Sequence, residues 1–129
     1  MEIKIKKCGI DDLDKIIEIG TETYHNTFSK YCSKEVMNSY LEEAFDRNKM
    51  LFELGNRNSH FYFAFADNQL AGYLKINIDD AQCDLKDKNG LEIERIYVKD
   101  QFKRNKIGIK LINKGIEKAI VYKKEFVWL

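Results

Sequence analysis

Two carboxylates, Glu92 and Glu94, stand two residues apart in the run Leu91-Glu92-Ile93-Glu94-Arg95-Ile96-Tyr97-Val98. In a strand, side chains alternate between faces, so both acids share one face. Carboxylates placed in this way are general-base material, and equally they are ordinary solvent-facing acids or partners for Arg95 or Lys99. A basic loop follows at once, from Lys99 through Lys103, Arg104 and Lys106 to Gly108, and it opens an amphipathic segment. The first turn of a helix has unpaired N–H groups and a partial positive charge, so a phosphate is attracted there. The lysines and arginine add cations, and Gly108 allows the backbone to come close to a ligand. The stretch is a candidate pyrophosphate cradle, and the competing reading is a solvated basic loop. A Walker-type loop is excluded, because Gly-x-x-x-x-Gly-Lys-Ser/Thr is missing.

These residues need a strand, a loop and a helix to position them, and the chain supplies the pattern. Residues 2–7 alternate as a strand. A first helix covers about 11–24, with Leu13, Ile16, Ile17, Gly20 and Tyr24 at helical spacing. Ser33 can cap a second helix whose inner side is Val36, Met37, Tyr40, Leu41, Ala44 and Phe45. A further turn or two around Met50 ends at Gly55-Asn56. Strands over 60–66 and 70–78, joined by Asp67-Asn68, read as a hairpin. Gly72, Leu74, Ile76 and Ile78 occupy one face of the second strand. A polar loop spans 79–90. After the 91–98 strand and the basic loop comes a helix from about Gly108 to Tyr122, with Leu111, Ile112, Gly115, Ile116, Ala119 and Ile120 as its inner stripe. Glu125 to Leu129 is strand-like. The order β-α-α-β-β-β-α-β is that of a mixed α/β domain, in which the last βαβ unit makes its two strands parallel.

The remaining features bound the function. A length of 129 residues suits one domain, 1–129. The 22 basic and 21 acidic residues nearly cancel, which gives no reason to propose nucleic acid or a membrane as partner. No apolar run approaches a bilayer span, and the N-terminus lacks the continuous apolar stretch of a signal peptide. Cys8, Cys32 and Cys83 are odd in number and far apart, and only His25 and His60 accompany them. A zinc site or disulfide framework is not expected, and free thiols fit a reducing cytoplasm.

The run Glu94-Arg95-Ile96-Tyr97-Val98, then Arg104-Asn105-Lys106-Ile107-Gly108 and the amphipathic helix resemble the central motif of the GNAT acetyltransferases, Gln/Arg-x-x-Gly-x-Gly/Ala. Lys103 takes its first position, Lys106 its fourth and Gly108 its last, so Lys stands where Gly is usual. The segments 1–8, 22–28, 40–45, 71–82 and 91–98 are similar to the Pai-type bacterial spermidine/spermine acetyltransferases, most specifically Asn77-Ile78-Asp79-Asp80-Ala81-Gln82. The resemblance implies acetyl-CoA as co-substrate and no metal. It implies that Ile96, Tyr97 and Val98 pair with the pantetheine arm like an added strand. Lys103, Arg104, Asn105, Lys106, Ile107, Gly108 and Ile109 would then hold the pyrophosphate. The acetyl group would lie where strands 91–98 and 125–129 splay apart.

The implied reaction passes an acetyl group from a thioester to an amine. A polyamine nitrogen is protonated at neutral pH, so a base must take a proton, and Glu92 and Glu94 are the candidates. The Val98 N–H is the implied oxyanion donor. Asp79, Asp80 and Glu92 could present negative charge to a polyamine, against the plainer reading of a solvated loop. Tyr24, His25 and Phe28 sit just after the first helix, where the family shapes its acceptor pocket; Tyr24 and Phe28 also suit core packing. Relatives continue into Gly-x-Trp-x-x-Asn-x-x-Ala-x-x-Phe-Tyr, a last helix and two more strands. The chain stops at Trp128-Leu129, so no residue inherits the acid role of that Tyr. A domain incomplete at its C-terminus leaves an apolar strand exposed, which points to a homo-oligomer through strand 125–129. Three functions compete: a polyamine N-acetyltransferase, a shortened acetyl-CoA-binding remnant without activity that serves regulation or assembly, and a general small-amine or protein N-terminal acetyltransferase.

Overall fold

A computed structural model describes residues 1–129. Five strands form one sheet in the order β1 (Ile3–Lys7), β2 (Ser59–Ala66), β3 (Gln69–Ile78), β4 (Gly90–Val98) and β5 (Phe126–Trp128). The first four pair antiparallel, and β5 runs parallel to β4, as a crossover through a helix requires. Helices α1 (Leu13–Phe28), α2 (Lys34–Ala44) and α3 (Arg47–Gly55) precede β2, and α4 (Ile107–Val121) joins β4 to β5. The expected order holds, and α3 fills the place of the extra turns expected around Met50.

Local chemistry sets the element ends. The Ser33 hydroxyl accepts from the Val36 N–H at 3.2 Å, and the Asp46 carboxylate accepts from the Lys49 N–H at 3.0 Å. Caps of this kind contribute about 1 kcal/mol each. Asp67 and Asn68 both have positive φ, 47° and 68°, as a two-residue hairpin turn of the primed type needs.

The sheet is buried on both faces. Tyr62, Leu74, Ile76, Leu91, Ile93, Ile107 and Leu111 form the layer under α4. Ile16, Ile19, Met50, Phe61, Phe63 and Tyr73 form the layer under α1 and α3. Two expected stripes need correction. On α4 the buried positions are Ile107, Leu111, Gly115 and Ala119, spaced four apart, while Ile112, Ile116 and Ile120 are exposed. The α4 surface is apolar over more than the arc that one sheet can cover. On α2, Met37 is buried but Val36 and Tyr40 lie at the surface. No helix is long and apolar enough to cross a membrane.

Candidate active site at the open edge of β4

β4 is paired with β3 along most of its length, but with β5 only at its start, where Gly90, Leu91 and Glu92 face Phe126, Val127 and Trp128. β5 reaches Trp128, so this pairing is described for Gly90–Glu92 alone. The Lys99 N–H donates to the Ala71 carbonyl on β3 at 2.7 Å. Backbone groups alternate sides along a strand, so the Val98 and Ile96 amides point to the open edge. That edge can receive an extended ligand by strand-like pairing.

A bulge sits in the middle of β4. Lys75 faces Arg95 and Ile76 faces Ile93, which leaves Glu94 as the extra residue. The bulge breaks the alternation, and Glu92, Glu94 and Arg95 all turn toward Asn77 and Lys75 on the α1 side. The expectation that the two acids share a face holds in the structure, although a bulge lies between them and the next residue.

At the C-terminal end of β4 a cavity of about 610 Å³ is lined by Ile96, Tyr97, Val98, Lys103, Arg104, Lys106, Ile107, Gly108 and Ile109, with Thr27 and Phe102 added. Asn105 stands behind it and shapes the loop: its side-chain amide donates to the Phe102 and Lys103 carbonyls. No N–H from Arg104 to Ile109 donates to a backbone carbonyl, and α4 has no side-chain cap. Arg104 and Lys106 are left-handed, with φ 70° and 63°. A left-handed residue feeding a helix start makes an anion-binding nest of N–H groups. A glycine would hold the Lys106 conformation without strain, which is why glycine suits that place. Lys106 holds it with its side chain in solvent. A Cβ at Gly108 would meet no protein atom within 4 Å, so a side chain there would project into the cavity. A free N–H cluster, loop cations and room above a glycine fit a pyrophosphate. The two apolar residues of β4 facing the open edge, Ile96 and Val98, fit an attached aliphatic arm.

Inward from the cavity lies a buried polar cluster. Lys75 Nζ is 2.7 Å from both Glu53 Oε1 and Glu94 Oε1. Arg95 reaches Glu94 at 3.2 Å and Glu53 at 3.4 Å. Burial works against the Glu94 charge, yet Lys75, Arg95 and the Asn77 amide outweigh it and hold the carboxyl down at about 2. Glu92 is also buried, but no cation lies within ion-pair distance of it; it accepts from the Asn77 amide and the Cys83 N–H, each at 2.9 Å. Among these side chains three carboxyl groups face two cations, and Glu92 is the one with no cation partner. Ligand atoms of Cys83, Glu92 and Glu94 lie within 4.8 Å of one another. Desolvation of the sulfur and the Glu94 charge push the Cys83 thiol up to about 12, and Glu94 is committed to its cations. The three groups are held in a hydrogen-bonded network.

A smaller cavity of about 190 Å³ adjoins the cluster, lined by Tyr24, Tyr40, Ala44, Phe45, Glu94, Arg95 and Tyr97. The Tyr24 and Tyr40 rings stack at 4.3 Å. α1 runs to Phe28, so Tyr24 and His25 lie within the helix, not after it as expected. Tyr24 faces the small cavity, while His25 is exposed and lines neither. Asp79 and Asp80 lie at the other end of β4, where Asp79 pairs with Lys124 at 2.7 Å and Asp80 accepts from Asn58 at 3.0 Å. The structure does not bring them to the cradle. Lys75, Asn77, Glu53 and Tyr40 escaped the sequence reading. Lys75 and Asn77 did leave a signal, as polar residues facing away from the Leu74-Ile76-Ile78 face of an apolar strand. Glu53 left none.

Residues 14–129 match the acetyltransferase (GNAT) family. An N-acetyltransferase of Lactobacillus delbrueckii subsp. lactis, encoded in the pepI 3′ region and itself uncharacterised, is 39% identical over 98% of this chain and 73% of its own length. The spermidine N(1)-acetyltransferase of Thermoplasma acidophilum is 31% identical over 87% of this chain and 67% of its own. The crystal structure of the PaiA N-acetyltransferase from Thermoplasma acidophilum in complex with coenzyme A aligns with a TM-score of 0.78 at 29% identity, over 94% of this chain and 74% of that one. The chain belongs to the GNAT family of acetyltransferases.

Proposed function

We propose that this GNAT enzyme moves the acetyl group of acetyl-CoA onto a primary amine of a polyamine such as spermidine or spermine. The observation that carries the reading is a cluster of free N–H groups and cations after β4, with a buried carboxyl that has no cation on the same strand. Acetyl-CoA, when bound, supplies the acetyl group. Lys103, Arg104, Asn105, Lys106, Ile107, Gly108 and Ile109 hold its pyrophosphate, and Ile96, Tyr97 and Val98 take the pantetheine arm. The outward Val98 N–H faces the oxygen on which charge develops. Glu92 takes the proton from the acceptor ammonium, directly or through water. The freed amine forms the C–N bond as the thioester C–S bond breaks, and the thiolate leaves and takes a proton from solvent. Glu94 is the weaker base, since Lys75 and Arg95 favour its charged form. Tyr24, Tyr40 and Tyr97 wall the acceptor side, where aromatic faces attract an alkylammonium.

The Thermoplasma spermidine acetyltransferase and a Glu92 carboxyl left without a cation partner both favour a cationic acceptor. Asp79 and Asp80 can act only on the far end of a long polyamine, and only if released from Lys124 and Asn58. We place the enzyme in the cytoplasm, where acetyl-CoA is at hand and three free cysteines persist.

The test is to titrate the protein with acetyl-CoA by calorimetry, then add spermidine and follow free thiol. Binding with spermidine-dependent thiol release is expected. Release with simple monoamines but not with spermidine refutes the polyamine assignment. Absence of binding refutes the cradle.

A further inference from the structure

We infer that Asn77 is a positioning residue for the transfer: one side-chain amide presents a hydrogen to each of Glu92 and Glu94, and so fixes the oxygen on which Glu92 receives its proton. The inference rests on Glu92 as the base.

Asn77 is fully buried, one residue before the C-terminal end of β3. Sheet register sets a row across four strands on one face: Ser59 on β2 faces Asn77, Asn77 faces Glu92 on β4, and Glu92 faces Trp128 on β5. The hydrogen bonds follow that row. Ser59 Oγ donates to Asn77 Oδ1 at 2.8 Å. Asn77 Nδ2 then donates to Glu92 Oε1 at 2.9 Å and Glu94 Oε1 at 2.8 Å. A primary amide has two N–H bonds, and both are committed to carboxylates. The Ser59 bond sets the amide's direction. With the amide turned over, its carbonyl oxygen would face two anions.

The far end of the row closes the arrangement. Trp128 Nε1 donates to Gln82 Oε1 at 2.8 Å, and Gln82 Nε2 donates to the Asp79 and Asp87 carbonyls. That anchors the loop that carries the Cys83 N–H to Glu92 Oε1 at 2.9 Å. Both bonds to Glu92 fall on Oε1, which leaves Oε2 to accept the proton. A hydrophobic residue would fill a buried strand position at lower desolvation cost than Asn. What the amide adds is alignment of two like charges without an added cation.

The groups facing the two acids are Lys75 from β3, Arg95 from β4, Glu53 from α3 and Cys83 from the loop. None of them changes in the variants below. Donors to a carboxylate favour its charged form, so their removal raises its titration point. The experiment is a carbon-detected NMR titration of the Glu92 carboxyl, beside the pH profile of kcat/KM for spermidine, in the wild type, Asn77→Leu and Ser59→Ala. Asn77→Leu is expected to raise both the Glu92 titration and the acid limb of the profile by about one pH unit, as loss of one charge-assisted bond implies. CoA affinity by calorimetry should stay within about threefold, because no cradle residue is touched. Ser59→Ala should shift both in the same direction by a smaller amount. A folded Asn77→Leu protein whose Glu92 titration is unmoved overturns the inference and leaves the base assignment to Glu92→Gln. A titration that moves while the rate profile does not overturns the base assignment and the role of Asn77 with it. Should Asn77→Leu fail to fold, an unmoved Glu92 titration in Ser59→Ala overturns the inference.

Discussion

Replacing Gly108 by leucine separates the two things this residue does. A glycine in a helix costs about 0.8–1 kcal/mol relative to good helix formers. A Cβ at 108 meets no protein atom within 4 Å, so nothing in the fold resists the change. The variant should therefore gain at most about 0.8 kcal/mol and melt up to about 2–5 °C higher. The same side chain enters the cavity lined by Lys106, Ile107 and Ile109, where the first-turn N–H groups stand free. Each charge-assisted bond lost to a pyrophosphate costs about 1.5–3 kcal/mol, so losing two weakens binding by roughly 10²–10⁴-fold. Scanning fluorimetry gives the melting point, and calorimetry with coenzyme A gives the Kd. Stability and affinity are expected to move in opposite directions. An unchanged Kd in a variant that melts no lower than wild type refutes the cradle, and a fall of several degrees refutes the claim that the space above Gly108 is kept open for a ligand.

Other perturbations probe the surrounding network. Lys75→Met should destabilise the fold by about 2–4 kcal/mol in urea melts, because it leaves the buried Glu53 and Glu94 to share Arg95 alone. The depressed Glu94 carboxyl contributes stability that is complete above its unfolded value of 4.5 and is lost as pH falls toward about 2. Glu94→Gln should flatten the unfolding free energy over that window, read from melts at pH 5 and pH 2.5. Burial beside Tyr122 pushes the His60 imidazole down to about 4 from 6.5, so stability present above pH 6.5 falls between 6.5 and 4; an NMR titration of His60 with its midpoint near 6.5 refutes this. Lys106→Gly relieves a left-handed lysine and should stabilise the protein by up to about 1 kcal/mol in urea melts, while the loss of one loop cation should weaken coenzyme A binding in calorimetry.

The elements were legible because their patterns are local. Alternation marked β3 and β4, and the Asp67-Asn68 turn marked the hairpin. The candidate cradle was legible for the same reason: strand, basic loop and helix start are contiguous, and its free N–H groups are built within a dozen residues. The α4 stripe was misjudged, since isoleucines recur on more of the helix than the sheet covers, and pattern alone cannot tell which arc faces inward. The end of α1 was placed too early, because Thr23 and Thr27 back-bond to the Ile19 and Thr23 carbonyls and continue the helix through polar residues.

Sequence alone carried the element order of a mixed α/β domain and a candidate cradle after β4, because those signals lie in neighbouring residues, while the acetyltransferase reading came from the resemblance of its motifs. It also placed Glu92 and Glu94 as a pair, but it could not tell them apart. That distinction belongs to tertiary structure. A bulge brings Glu94 beside Lys75 and Arg95, and α3 delivers Glu53 from about forty residues upstream to complete the ion pairs. Glu92 is left with amide donors and no cation. Two acids of the same kind, two positions apart, thus differ in charge environment through partners that only folding assembles, and the electrostatics of a buried site depend on those partners more than on the residue itself.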